Sequence, residues 1–335
     1  MPGPKRPSMA DVARAAGVSA QTVSRVANGE PYVSDAKRAR VLQVMRELGY
    51  RPNSAARAMK RGAFKTIGVV FHSLHPVGNH RTLEAISEVA ATRGYATTLI
   101  PLEATTHRAA DGAFTRLGEM TVDAAIAIIP SHFVGDSTLH LPVGVPLVVL
   151  GPSLDMNAAS VDFDQEVGTR EAVRHLLGLG HRTVHHVAGP AESYSAVGRE
   201  RAWRSVLTEQ GRPVPPVVTG DWSPDSGYRA TRDLLEHERP TALFVANDQM
   251  ALGAFRALLE AGLRVPEDVS VIGFDNIDEA VAFPTPLTTV AQDWEKVGHE
   301  ALRAALDMIA GGPPTTSSLP TRLVVRESTG PAPHR

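Results

Sequence analysis

The sequence predicts a small all-α helix-turn-helix head joined to a larger α/β body, whose parallel, doubly wound sheets form two lobes. Three observations carry this. Residues 1–61 hold 12 Lys and Arg against 4 Asp and Glu, while the other 274 residues hold 22 against 32, so a basic head precedes an acidic body. The head is patterned as short capped helices. From Thr66 onward, short apolar runs alternate with helical stretches, the signature of parallel β/α units.

In the head, Ser8 followed by Asp11 has the spacing of a capping box. Val12, Ala13 and Ala16 give the helix it opens an apolar face, and Gly17 closes it. Ser19 caps a second helix, about Ala20 to Ala27, in which Val23, Val26 and Ala27 face inward. Two short helices about a Gly-Val-Ser turn make a helix-turn-helix. Gln21 and Arg25, at i and i+4, point outward together. Gln suits adenine and Arg suits guanine in a major groove. Thr22, Ser24, Asn28 and Tyr32 are donors suited to phosphates. A third helix runs from the cap Ser34 to Leu48, stopped by Gly49, with Val41, Val44, Met45 and Leu48 on its core face. Pro52 keeps Arg51 extended. Asn53 can cap a short helix, Ser54 to Arg61, too polar to be stable alone. Its exposed Met59 is a candidate minor-groove wedge.

The run from Met9 to Asn28, with Leu48-Gly-Tyr-Arg-Pro-Asn53 and Ala55-Ala-Arg57, resembles the head of the LacI–GalR family of bacterial transcriptional repressors. The resemblance implies a homodimer on a pseudo-palindromic double-stranded operator and a hinge helix in the minor groove. By it Ala20, Gln21 and Arg25 read bases, while Asn53, Ala56 and Met59 work in the minor groove. The chain departs from the family at Met59, where Leu is usual, and at Ala20, which offers only a methyl contact. The head is expected over 1–52, the hinge over 53–63 and the body over 64–330.

The body's expected strands are Ile67–Phe71, Ala96–Ile100, Ala124–Ile129, Leu147–Leu150 and Ser160–Phe163, then Val184–Val187, Val217–Thr219, Leu243–Ala246 and Val271–Phe274, with a last strand near Leu323–Val325. Helices are expected at Arg81–Arg93, Glu166–Gly178, Gly198–Gln210, Gly227–His237 and Asp248–Ala261. The resemblance extends to a two-lobed, periplasmic-binding-protein-like sensor. Its chain crosses near Phe163, Gln292 and Leu319, giving one lobe of about 64–163 with 293–319 and another of 164–291 with 320–330.

Ligands of open α/β sheets sit beyond the carboxyl ends of strands. His72, Phe163, Arg199, Trp222, Asn247, Asp275 and Gln292 all fall at or after such ends. Gly220-Asp-Trp-Ser223, Ala246 to Gly253 and Val271-Ile-Gly-Phe-Asp275 are similar to the sugar-sensing, lactose-repressor-like branch of the family. That similarity implies Arg199, Asn247 and Asp275 on hydroxyls, Trp222 against a sugar ring and Trp294 at the cleft edge. The branch carries an acidic residue where this chain has Gly151, and His72, His75 and His80 are unusual there. Asp248 is read as a helix cap and left off the ligand set.

Other classes find little support. Without cysteine there is no disulfide, Cys-ligated zinc or thiol catalysis. His185 and His186, adjacent on a strand, point to opposite faces and cannot chelate together. Asp162-Phe163-Asp164 reads as a segment lining the cleft, and no enzyme loop motif is present, so neither an enzyme nor a cofactor is expected. Met1 to Pro7 has no signal-peptide core, and no apolar run reaches about 18 residues. A cytoplasmic, nucleoid-associated protein that does not touch membrane is expected. No leucine heptads follow the last strand, which favours a dimer over a tetramer. The expected function is a repressor released by a small sugar effector, a galactoside or another oligosaccharide. The alternatives are a corepressor-type regulator and a sugar-binding module that does not bind DNA.

Overall fold

The computed structural model describes residues 7–51, 62–102, 107–128, 144–152 and 157–333. The chain divides into two compact units, Met1–Phe64 and Lys65–Arg335.

The first unit contains α1 (Met9–Ala16), α2 (Ala20–Ala27) and α3 (Asp35–Leu48). The capping box forms: Ser8 Oγ accepts from Asp11 N at 3.3 Å and Asp11 Oδ2 accepts from Ser8 N at 2.9 Å. Gly17 ends α1 at φ +68°, a conformation in which a Cβ would be strained. Ser19 Oγ accepts from Thr22 N at 3.2 Å and starts α2. Val12, Val23 and Val41 meet in a core closed by Val26, Val44 and Met45; each fully buried Val contributes about 2 kcal/mol. Two expectations fail. Ser34 occupies the cap position of α3 but makes no side-chain cap bond, and Leu48, in the last turn, is 39% exposed.

In the second unit, the first lobe holds β1 (Thr66–Phe71), β2 (Ala96–Pro101), β3 (Ala124–Ile128), β4 (Leu147–Leu150) and β5 (Ala159–Phe163). The second lobe holds β6 (His185–Ala188), β7 (Val218–Thr219), β8 (Ala242–Val245), β9 (Ser270–Asp275) and β10 (Thr288–Ala291). Then β11 (Thr316–Leu319) returns to the first sheet and β12 (Arg322–Val324) to the second. The orders are β11-β5-β4-β3-β1-β2 and β12-β10-β9-β8-β6-β7. Every pairing is parallel except β10 with β12. The chain therefore passes between sheets after Phe163, after Ala291 and after Leu319.

Both sheets are covered on both faces. On the first, α4 (Val77–Thr92) and α10 (Trp294–Ile309) supply Ile86, Ala90, Ala301 and Leu302 to one core, and α5 (His107–Glu119) supplies Phe114 and Leu117 to the other. On the second, α8 (Pro224–His237) and α9 (Asp248–Glu260) lie on one face; α6 (Gln165–Gly178) and α7 (Tyr194–Glu209) lie on the other, where Trp203 is wholly buried. Such two-sided burial explains why these strands read as continuous apolar runs. Sequence patterning did not single out α5, α10, β10 or β11. The last is Thr-Ser-Ser-Leu, an edge strand without an apolar run.

Candidate DNA-reading surface and interlobe cleft

On the head, Ala20 and Gln21 are exposed at the start of α2, and Tyr32 is 84% exposed beyond its end. Arg25 is half-exposed, with Nε 3.7 Å from Glu30 Oε2, a contact weak enough to be exchanged for a base edge or phosphate. Thr22 and Ser24 are less free than their sequence positions imply. The Thr22 hydroxyl lies 3.0 Å from Ser19 Oγ, and Ser24 Oγ accepts from Asn28 Nδ2 at 3.4 Å. Asn28 Oδ1 is buried without a hydrogen-bond partner among the described residues. Asn53, Ala56 and Met59 lie outside the described residues.

Between the lobes lies a cavity of about 750 Å³, large enough for a two-ring ligand. His72, Phe163, Arg199, Trp222, Asn247, Asp275, Gln292 and Trp294 all line it. Strand ends place most of them: Phe163 ends β5, Asp275 ends β9, His72 follows β1 and Asn247 follows β8. His75 also lines the cavity, whereas His80 does not. His72 Nδ1 is buried with no partner among the described residues.

The polar groups form a connected set. Arg199, on α7, is buried against the Phe274 ring, with its guanidinium carbon 3.6 Å from the ring centroid. Its Nε donates to Gln165 Oε1 at 2.9 Å, another of its nitrogens donates to the Ala246 carbonyl, and Nη2 lies 3.8 Å from Asp275 Oδ1. Burial pulls Arg199 down to about 10, against the opposing effects of Asp275, Asp248 and Asp162, so it stays charged. Asp275 Oδ1 accepts from Gln292 Nε2 at 2.7 Å. Burial raises Asp275 to about 6, and Arg199 and Gln292 limit the rise. Gln292 Oε1 is buried and has no partner among the described residues. Gln165, which orients Arg199, was not anticipated from sequence; its only signal was its place one residue after the Asp164 that caps α6.

The apolar walls are aromatic. Phe163 and Trp294 meet edge to face, with centroids 4.9 Å apart. Gly78 makes room for Trp294, and Gly189 for Trp222: a Cβ would lie 2.7 Å and 2.3 Å from the respective rings. Trp222 and Asp275 have φ of +75° and +110°. Non-glycine residues held there cost about 1–3 kcal/mol each, a strain that concentrates at ligand clamps.

One assignment from sequence is overturned. Asn247, not Asp248, caps α9, with Oδ1 accepting from Met250 N at 2.9 Å. Its Nδ2 donates to the Trp222 carbonyl at 3.2 Å, tying two cleft residues together. Asp248 is wholly buried behind them. Its oxygens accept from Thr289 Oγ1 at 2.6 Å and Ile277 N at 2.9 Å, and burial raises it to about 8. His185 and His186 diverge as strand geometry requires: His186 stacks on Phe244, while His185 lies 3.6 Å from Glu238.

Residues 8–53 match the family described as bacterial regulatory proteins, lacI family, and residues 173–329 match a periplasmic binding protein-like domain. The chain is 36% identical to the lactose operon repressor of Escherichia coli K12 over 324 residues, 95% of this chain and 89% of the relative. The chain belongs to the LacI family. This LacI-family chain superposes on a crystal structure of the lac repressor dimer bound to operator and the anti-inducer ONPF, with TM-score 0.86 and 35% identity over 97% of this chain and all of the other. It also superposes on a complex of the transcriptional regulator CelR with cellobiose, with TM-score 0.71 and 32% identity over 96% of this chain and all of that one. As a LacI-family protein it is a DNA-binding transcriptional repressor and not an enzyme. Among the described residues no helix is long and apolar enough to cross a membrane.

Proposed function

We propose that the chain acts as a homodimer on a pseudo-palindromic operator and is released from it by a neutral sugar bound in the interlobe cleft. The observation that carries the sugar reading is the charge pattern of the cavity. Arg199 is the one Lys or Arg among the described lining residues, and it is already matched by Asp275. Among the described residues no spare Lys or Arg faces the cavity to hold a phosphate or carboxylate. Carboxylate and amide acceptors beside Trp222 and Phe163 suit a ligand with many hydroxyls and a flat apolar face. The lac repressor dimer on operator and the CelR–cellobiose complex support the reading.

Gln21 and Arg25 read base edges, with Ala20 beside them. Thr22, Ser24, Asn28 and Tyr32 hold phosphates, and Asn53, Ala56 and Met59 serve the minor groove. The same reading places the protein in the cytoplasm with the DNA. Sugar binding closes the cleft and shifts the first lobes of the two subunits against each other. Linkage then requires that the sugar bind the DNA-free form more tightly by the factor with which it weakens operator binding.

The test is operator binding by fluorescence anisotropy, with DNA from upstream of the chain's own gene, in the presence of cellobiose, lactose or maltose. Loss of binding with one of them is expected. Tighter binding would reverse the sign and make the chain a corepressor-type regulator; no effect from any would remove the sugar reading. On the same DNA, Arg25→Ala should weaken binding by about 1–3 kcal/mol and relax preference at one base pair. Uniform weakening across all operator variants would instead make Arg25 a phosphate contact.

A further inference from the structure

Asp162 is a carboxylate on the cleft wall that the set around Arg199 does not include as a ligand group. It is the penultimate residue of β5. Val161 and Phe163 pack on one face of that strand, into the core with α4 and α10. Asp162 therefore stands on the other face, and it lines the cavity. Its Oδ1 accepts the Phe163 N–H at 2.8 Å, and the nearby Gln165 side chain and Arg199 guanidinium both favour its charged form. Gln165 in turn accepts from Arg199, which faces Asp275. A polar belt thus runs across the cleft from β5 of one lobe to β9 of the other, with Asp162 at its first-lobe end.

Among the described residues the wall beside Asp162 is open at Gly151. Gly151 extends β4: its N–H donates to the Val161 carbonyl at 3.0 Å, and the register pairs Leu150 with Val161. Gly151 therefore sits next to Asp162 on the neighbouring strand, about 4.8 Å away. A Cβ at Gly151 would meet no atom of the described residues within 4 Å, and its φ of +148° disfavours any side chain there. The glycine leaves room for a ligand ring against the carboxylate. Burial also raises Asp162 to about 6, against the Phe163 N–H and Arg199, which lower it.

Resting on the sugar reading above, we propose that Asp162, facing the space left by Gly151, accepts hydrogen bonds from hydroxyls of the bound sugar and decides which ring position must carry a free hydroxyl. A carboxylate demands donors. An analogue without the matching hydroxyl leaves it desolvated and unpaired, a larger loss than the missing contact alone.

The test is calorimetric titration of the full chain and of Asp162→Asn with cellobiose, lactose and maltose, and then with monodeoxy derivatives of whichever sugar binds. Asp162→Asn should weaken binding by about tenfold or more. One monodeoxy derivative should lose a similar factor on the wild-type protein and nothing further on the variant. The melting temperature should not fall, because a buried charge has been removed. Should Asp162→Asn not fold, Asp162→Ser carries the same comparison. Wild-type affinity in the variant, or equal losses for every derivative on both proteins, would reduce Asp162 to a partner of the Phe163 N–H. That outcome would sink this inference and leave the sugar reading standing. Failure of the wild-type protein to bind any of the three sugars would overturn both.

Discussion

Asp275→Ala should abolish the sugar response while leaving operator binding at its wild-type level. Asp275 ends β9 with its backbone at φ +110° and its carboxylate buried between Gln292 and Arg199. Truncation removes a hydroxyl acceptor and also leaves the Arg199 guanidinium, whose side chain is 5% exposed, without its nearest anion. Arg199 would keep Gln165 and the Ala246 carbonyl, so it should stay in place but face the cavity as an unbalanced charge. Together these effects should cost about 2–4 kcal/mol of sugar binding, or about 30- to 1,000-fold in affinity. The head belongs to a separate compact unit, and its α2 surface does not include Asp275. Asp275→Asn supplies the milder comparison, since its amide oxygen can still accept from Gln292. Burial raises the native carboxyl from its ordinary value to about 6, so its contribution to stability is fullest below about pH 4 and is lost as pH rises through 6. The Asn variant should therefore be no less stable than wild type at pH 7.5, and its stability should fall less between pH 4 and 6. Anisotropy with and without sugar, beside melts at both pH values, checks all of this. A normal sugar response in Asp275→Ala would remove Asp275 from the site.

What could be read from sequence was local. Ser8, Asp11, Gly17 and Ser19 act within four residues of themselves, and they form the caps their spacing implies. Leu48 failed because its exposure is decided by what α3 packs against, not by its spacing along the helix. The α/β body was legible because parallel strands covered on both faces need long apolar runs; Thr316-Ser-Ser-Leu at a sheet edge has no such need. Strand ends were a sound guide to most of the cavity: the seven residues picked by them line one cleft, although Arg199 lies within α7, and Trp294, taken from the family resemblance, lines it too. The division of labour between Asn247 and Asp248 was not legible. Either residue type can cap a helix, and Asp248 is buried by donors from Ile277 and Thr289, 29 and 41 residues away. Gln165 and Asp162 were passed over as site residues for the same reason: their roles depend on Arg199 and Gly151, which folding brings to them from other elements.

The largest stability loss is expected at Gly253, in the middle of α9. A Cβ there would lie 1.9 Å from the Pro224 carbonyl oxygen and 2.5 Å from Tyr228 N, both backbone atoms of α8. Gly227, on the facing helix, is equally tight, 2.2 Å from the Met250 oxygen and 2.6 Å from its Cα. Neither clash can be relieved by a rotamer change, so the helices must separate. Separation would loosen the core that buries Met250, Ala254 and Leu234. It would also reach the cleft, because Asn247 caps α9 and bonds the Trp222 carbonyl just before α8 begins. Gly253→Ala should therefore cost more than about 4 kcal/mol, lowering the melting temperature by roughly 10 °C or more and weakening sugar binding with it. Gly178→Ala is the matched control. That glycine ends α6 with no atom within 4 Å of a built Cβ, so the change should be neutral or stabilise by up to about 1 kcal/mol. Melts of the two variants followed by circular dichroism separate steric crowding from the general effect of adding a methyl group to a helix. If Gly253→Ala melted within about 2 °C of wild type, α8 and α9 would be free to move apart, and their crossing could not be what fixes Trp222 and Asn247 in the cleft.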